Sequence, residues 1–181
     1  MLGFIVERAL ARAEQRFGVS FDYARQMARH SPKSTWPMLG LQRIGGFRSV
    51  CPPGPWHAAQ IAATLAEDCG PCAQIAVTLA REAGVPAATV RALIDRRLAD
   101  VEPGIADAFL FGDAVARSGP AADELRERLQ TRYGEAAIVD LAIGIAVARV
   151  WPALKRALGH AQYCQRVVID GEVAEVTRAA D

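Results

Sequence analysis

The sequence predicts an all-α protein folded as a helical bundle, and two observations support this prediction. Hydrophobic residues recur every three to four positions along most of the 181 residues, and the breaks in that period coincide with glycine and proline. We therefore expect a single domain, 1–181, with helices at about residues 2–17, 21–30, 35–47, 56–67, 70–83, 86–98, 104–117, 121–133 and 135–164.

The predicted boundaries in the first third of the chain have local causes. Gly18 follows the first helix, and the Ser20 hydroxyl is placed to cap the second. The segment "SPKS" separates the second helix from the third. "CPPGP" at 51–55 ends the third helix, because its three prolines cannot propagate a helix.

The fifth helix has its own boundary signals. Asp68 is the expected N-cap, and Gly84 occupies the position where a left-handed residue ends a helix. Pro86 then opens the sixth helix. In the last long segment, Pro152 predicts a kink or break near Trp151.

The tail has a different pattern. Residues 166–176, "RVVIDGEVAEV", alternate around an Asp-Gly pair, which favours a short C-terminal β-hairpin. A lone hairpin is marginally stable, so a disordered tail is the alternative.

Charge and composition exclude several classes of protein. Lys and Arg total 21 against 20 for Asp and Glu, so the net charge of +1 provides no field that would attract nucleic acid or a membrane surface. The N-terminus lacks the basic leader and cleavage site of a secretory signal, and the longest uncharged apolar run, 141–148, is shorter than the roughly 20 residues of a membrane span. We therefore expect a cytoplasmic protein. Only two of the basic residues are lysines, Lys33 and Lys155.

The main chemical motif is "CGPC" at 69–72. A thioredoxin places such a dithiol after a buried β-strand, whereas the preceding residues here are "WHAAQIAATLAE", an Ala-rich helix. Cys69 and Cys72 still lie in the first turn of a helix, where the helix dipole favours a thiolate, and their spacing allows a disulfide. We expect Cys72 to point inward and Cys69 to lie nearer the surface.

The preceding helix carries one polar stripe, formed by His57, Gln60, Thr64 and Glu67. This stripe either faces solvent or lines an internal site. His57 and Glu67 are the acid/base candidates by residue type.

The remaining histidines and cysteines give weaker signals. His160 is more consistent with a surface position and His30 with a helix end, while Cys51 and Cys164 are isolated and are expected to be inert and buried. No second Cys or His pair has zinc-site spacing, so no metal is expected.

Three stretches together resemble a known family. The stretches "CGPCAQIAVTLAREAGVPAATVRAL", "ADAFLFGDAVAR" and "YGEAAIVDLAIGIAVARVWPALKRALGH" are similar to the carboxymuconolactone decarboxylase and alkylhydroperoxidase D-like superfamily, in its dithiol branch. The resemblance covers about residues 55–165 and leaves 1–54 as an N-terminal helical extension. The apolar stripes of that extension, which include Phe21, Trp36 and Leu39, either cover the site or extend an oligomer interface.

The resemblance implies an all-α fold, a homo-oligomer (trimer or hexamer) and an antioxidant dithiol hydroperoxidase or disulfide reductase that needs no cofactor. Its partners would be a small hydroperoxide and a thiol reductant. Cys72 would attack the peroxide and Cys69 would resolve the sulfenic acid, whereas helix-terminus electrostatics alone favour Cys69 for the lower pKa.

This chain departs from the family at two positions. Ala76 stands where the family has a histidine, and His57 stands where it has a glutamate, so His57 and Glu67 are the candidates for a substitute proton relay. Two other functions stay open. One is a lyase of the decarboxylase branch, with Arg149 and Arg156 holding a small cyclic carboxylate. The other is a redox-sensing oligomer without catalytic activity.

Overall fold

The fold is helical, with one short hairpin near the C-terminus. The computed structural model describes residues 2–163 and 166–177. Within these ranges the helices are α1 Leu2–Phe17, α2 Asp22–His30, α3 Thr35–Gly45, α4 Pro53–Ala66, α5 Gly70–Glu82, α6 Ala87–Ile94, α7 Pro103–Arg117, α8 Ala122–Tyr133 and α9 Glu135–Ala157, with 3-10 turns at Pro32–Ser34 and Leu98–Asp100. Strands β1 Arg166–Ile169 and β2 Glu172–Glu175 pair antiparallel. The predicted all-α class with a C-terminal hairpin is confirmed.

Helix α4 is the central element of the bundle. Every residue from Pro55 to Leu65 is buried, and the helix packs against α5, α7 and α9. Its contact with α7 is close, because a Cβ built on Gly112 would lie 2.3 Å from the Ala59 carbonyl oxygen. Glycine at that position therefore allows the two helix backbones to approach each other.

Two buried clusters surround α4. One joins α4, α5, α6 and the hairpin through residues such as Ile61, Val77 and Leu93. The other joins α4 to α7, α8 and α9 through Phe111, Leu129 and Leu141, among others. The dithiol helix α5 belongs to the first cluster.

The hairpin is ordered because it packs on α5. Val167 and Ile169 are buried in the first cluster, and the Gln74 side chain exchanges two hydrogen bonds with the Val168 backbone, at 2.7 and 3.0 Å. Asp170 and Gly171 both have positive φ, as the predicted Asp-Gly turn requires. Packing thus supplies the stability that an isolated hairpin lacks.

Several predicted boundaries were wrong. Helix α4 begins at Pro53 rather than near 56, because prolines in a first helical turn remove no hydrogen bond. Asp68 has a φ of +50°, and Cys69 is the N-cap of α5. The last helix ends at Ala157 instead of near 164, and Pro152 lies within it. The sixth helix ends at Ile94, four residues earlier than the predicted 98, and a 3-10 turn follows.

Helix α9 is long and apolar enough to cross a membrane by length and composition, and within the described ranges it is the one helix that is. Half of its most apolar window is buried inside the fold. It also buries Asp140, whose carboxylate accepts hydrogen bonds from the backbone N–H groups of Ser49, Val50 and Cys51 at 2.8 to 2.9 Å. A core helix of a soluble protein can have the same length and composition, and the structure is compatible with that alternative.

Candidate functional site

A cavity of about 550 Å³ lies between α4, α5 and α9 and is closed on one side by the N-terminal extension. Phe17, Phe21 and Tyr23 of the extension line it, so this part of residues 1–54 covers the site. Trp36 and Leu39 of α3 are exposed instead. The cavity contains one cysteine of the dithiol, Cys72, in its lining.

Cys69 and Cys72 are joined by a disulfide, with their Cα atoms 5.3 Å apart. Cys72 lies in the first turn of α5, as the sequence predicts, whereas Cys69 is the N-cap, the position predicted for Asp68. Each residue is 5% exposed, so the expected difference in depth between them is absent. The two cysteines differ in their contact with the cavity, because Cys72 is among the residues that line it and Cys69 is not.

Lys155 is a charged group in direct contact with the dithiol, and sequence reasoning missed it. Its Nζ atom donates a hydrogen bond to Cys72 Sγ at 3.5 Å and lies 5.0 Å from the centre of the Tyr23 ring. The residue is 4% exposed, and burial lowers its pKa from 10.5 to about 8. An ammonium group at this distance stabilises a thiolate on Cys72 once the disulfide is reduced. The available signal was that Lys155 is one of two lysines in an arginine-rich chain.

The polar stripe of α4 lines the cavity. His57, Gln60 and Thr64 are buried and belong to the cavity wall, so the alternative of a solvent-facing stripe was wrong for these three residues. Burial, together with the nearby positive charge of Arg48, lowers the pKa of His57 to about 4. The imidazole is therefore neutral at pH 7. Its ring lies edge-on to the ring of Trp56, with the centroids 4.7 Å apart.

Glu67 is engaged elsewhere. Its carboxylate forms ion pairs with Arg149, at 2.9 Å, and with Arg156, and it does not appear in the cavity lining. Burial raises the pKa of Glu67, but hydrogen bonds from the two arginines outweigh this effect and hold it below its ordinary value. His57 and Cys72 therefore line the same cavity, whereas Glu67 is held against α9 by its two ion pairs.

The other predicted positions have simpler surroundings. Ala76 lines the cavity one helical turn beyond Cys72. Cys51 is fully buried, and burial, reinforced by the charge of Asp140, raises its pKa to about 12, which agrees with an inert thiol. Cys164 lies outside the described residues. His160 Nε2 is 2.6 Å from Gln26 Oε1, and His30 is exposed at the end of α2.

Trp56 and Gln60 contribute two further groups to the cavity wall. Trp56 Nε1 and Gln60 Nε2 are buried and have no hydrogen-bond partner within the described part of the chain. Both pack on Gly144 of α9, where a Cβ would lie 3.2 and 3.0 Å from the two nitrogens. In the same ranges, no group of three or more His, Cys, Asp or Glu side chains is arranged to hold a metal ion.

No protein-family model, curated protein or solved structure matches this chain. The resemblance to the carboxymuconolactone decarboxylase and alkylhydroperoxidase D-like superfamily therefore stays a prediction. It depends on the three quoted sequence stretches.

Proposed function

We propose that the protein is a dithiol peroxidase that reduces small alkyl hydroperoxides through Cys72 and Cys69. One observation carries the proposal: Cys72 lines the cavity and its sulfur accepts a hydrogen bond from the buried Lys155 ammonium at 3.5 Å. A nucleophilic thiol needs a group that favours its ionised form, and a buried cation next to the sulfur meets that need.

The reaction proceeds in three balanced steps. The Cys72 thiolate attacks the terminal oxygen of the hydroperoxide, the O–O bond breaks, and one proton is taken up, which yields a Cys72 sulfenic acid and an alcohol. The Cys69 thiol then attacks the Cys72 sulfur and releases water, which forms the disulfide. A thiol reductant supplies two electrons and two protons to restore both thiols.

Lys155 has two roles in the first step. Its charge holds Cys72 as thiolate before the attack, and its N–H groups are positioned to donate a proton to the departing alkoxide. Because burial lowers its pKa to about 8, the ammonium is a stronger acid than an exposed lysine and still mostly charged at pH 7.

Burial of the dithiol favours a small substrate. Both cysteines are 5% exposed, and the Gly70 N–H between them donates a hydrogen bond to the Gln162 carbonyl at 3.0 Å, so the segment after α9 covers the start of α5. This burial hinders the approach of a folded protein disulfide to Cys72, whereas the cavity has room for a small hydroperoxide. This favours peroxide reduction over direct exchange with protein disulfides.

The wider assignment includes family, assembly and location. We assign the chain to the dithiol branch of the alkylhydroperoxidase D-like proteins, as a cytoplasmic homo-oligomer (trimer or hexamer). Support for assembly comes from the exposed apolar side chains of α9, Val139 at 51% and Val150 at 38% exposure. Analytical ultracentrifugation tests this part, and a monomer at all concentrations would refute it.

Thiol loss measured by stopped flow tests the activity. The reduced protein is mixed with tert-butyl hydroperoxide, and the wild type is compared with the Cys72→Ser, Cys69→Ser and Cys51→Ser variants. We expect Cys72→Ser to abolish rapid oxidation, Cys69→Ser to stop at the sulfenic acid, and Cys51→Ser to react like the wild type, because Cys51 is fully buried away from the cavity wall. Equal slow thiol loss in the wild type and Cys72→Ser would refute the assignment.

A further inference from the structure

We infer that Arg48 forms an anion-binding point in the cavity, at the end remote from the dithiol, and that the substrate is an alkyl hydroperoxide whose apolar chain carries a carboxylate. The inference rests on the proposed function and specifies the substrate class of that site. Hydroperoxides of fatty acids have this chemistry.

The charges of the cavity wall are the first step of the argument. In the described part of the chain, the lining contains three cations, Arg16, Arg48 and Lys155, and one carboxylate, Glu82. Arg16 and Glu82 form an ion pair with each other. Lys155 lies 3.5 Å from Cys72 Sγ and serves as the counter-ion of the thiolate in the proposed reaction. The positive charge of Arg48 is therefore the one that no other lining residue balances.

Arg48 has donors that a ligand can reach. The residue is exposed, and its Nη1 atom donates a hydrogen bond to the Cys51 carbonyl at 2.8 Å. A guanidinium has five N–H donors, so one carbonyl contact leaves most of them for a carboxylate. The charge of Arg48 also acts on Asp140, whose carboxylate accepts three backbone hydrogen bonds and makes no ion pair with Arg48.

Arg48 and the dithiol lie towards opposite ends of α4. The positive charge of Arg48 contributes to the lowered pKa of His57, near the start of the helix. The Cys69 N–H contacts the Thr64 carbonyl at 3.4 Å, near the end of the helix. Because His57 precedes Thr64 by seven residues, these two levels are separated by about 10 Å. A ligand that contacts both ends must therefore be elongated.

The wall and its burial specify the rest of the ligand. Much of the lining is apolar and suits a carbon chain: Phe17, Phe21, Ile75, Leu79, Val147 and Trp151. Cys72 and Lys155 are 5% and 4% exposed, whereas Arg48 is exposed. A carboxylate at Arg48 would keep part of its hydration, which limits the cost of its desolvation, while the peroxy group reaches the buried sulfur.

A matched pair of ligands tests the inference without requiring activity. Octanoate and 1-octanol have the same chain length and differ in a carboxylate and a hydroxyl, and their binding to the oxidised protein is measured by isothermal titration calorimetry. An apolar cavity without an anion site would favour the alcohol. We expect octanoate to bind the wild type about fivefold more tightly than octanol, because a hydrogen-bonded charge pair outweighs a neutral contact. The preference should shrink in about 0.5 M NaCl, which screens the pair.

The variants localise that preference. Arg48→Gln should weaken octanoate binding about tenfold and change octanol binding less than about twofold, whereas Arg48→Lys keeps the charge and should retain part of the preference. Arg43→Gln is the matched control, since Arg43 is exposed and does not line the cavity. Thermal unfolding establishes that each variant is folded. The wild-type preference and its salt dependence test the inference even if Arg48→Gln is unstable.

Four results would overturn the inference. They are no binding of octanoate, octanol binding as tightly as octanoate to the wild type, an octanoate affinity unchanged by Arg48→Gln, and an equal loss in Arg43→Gln. The stopped-flow assay is separate. A wild-type protein that prefers octanoate but shows no peroxide-dependent thiol loss would refute the peroxidase assignment and retain the anion site, and rapid thiol loss without that preference would do the reverse.

Discussion

Replacing Lys155 with methionine should raise the pKa of the Cys72 thiol, because methionine keeps the length and packing of the side chain and removes its charge. At 3.5 Å and an effective dielectric constant of about 20, the attraction between ammonium and thiolate is about 5 kcal/mol, which corresponds to about three and a half pKa units. Even one third of that attraction corresponds to a shift of about one unit in the pKa of the Cys72 thiol. We therefore expect at least a tenfold lower rate of thiolate chemistry at pH 7.

The assay is the pH dependence of alkylation by iodoacetamide in a Cys69→Ser background, where Cys72 is the remaining thiol of the pair. The midpoint of the rate profile reports the thiol pKa. Lys155→Arg, which retains the charge, should preserve much of the effect. Lys33→Met is the matched control, since Lys33 is the other lysine and is exposed.

Unchanged alkylation midpoints in the Lys155→Met variant would refute the reasoning, provided that the variant folds. Folding is expected to be retained in the oxidised state. Burial lowers the pKa of Lys155 from 10.5 to about 8, so in the oxidised protein the ammonium opposes folding increasingly as the pH falls from 10.5 to 8, and fully below 8. The oxidised Lys155→Met protein should consequently be more stable than the wild type at pH 7, as measured by urea unfolding.

Three other predictions concern stability and the proton relay. The pKa of His57 is lowered from 6.5 to about 4. As the pH falls from 6.5 to 4, the unfolded state therefore binds a proton that the folded state does not bind, and the free energy of unfolding decreases. The stability advantage of the wild type over His57→Phe should shrink by about 3 kcal/mol between pH 7 and pH 4, whereas the exposed His30→Gln control should behave like the wild type. Gly112→Ala should destabilise the protein by about 1 to 3 kcal/mol in urea titrations, because its Cβ would lie 2.3 Å from the Ala59 carbonyl, while Gly40→Ala, with nothing within 4 Å, should be neutral or stabilising. Glu67→Gln should leave the rate of peroxide-dependent thiol loss within about twofold, since the carboxylate is paired with Arg149 and Arg156, and a tenfold fall would support the relay predicted from the sequence.

Local sequence signals predicted most of the helices because their causes are local. The period of apolar residues and the positive φ of Gly18 and Gly84 depend on neighbours along the chain, and the structure follows them. The errors have local explanations too. The prolines before α4 were interpreted as a break, although Pro53 and Pro55 open the helix.

The site was only partly predictable. Cys69 and Cys72 were identified because three residues of spacing place them in one helical turn. Lys155 was missed because its contact with Cys72 joins residues 83 positions apart, through the packing of α9 beside α5. A lysine near the end of an amphipathic helix ordinarily lies in solvent, so its position gave no sign of burial, and the rarity of lysine in this arginine-rich chain was the one signal.

The sequence by itself determined the helical class, the hairpin turn and the dithiol at the start of α5, since helix period, turn geometry and a three-residue spacing are properties of neighbouring residues. Only the tertiary structure decided that the polar stripe of α4 is internal, that Glu67 is engaged by arginines and that Lys155 faces Cys72. The physical reason is that burial and charge pairing depend on which helix faces meet, and those contacts join residues distant in the chain.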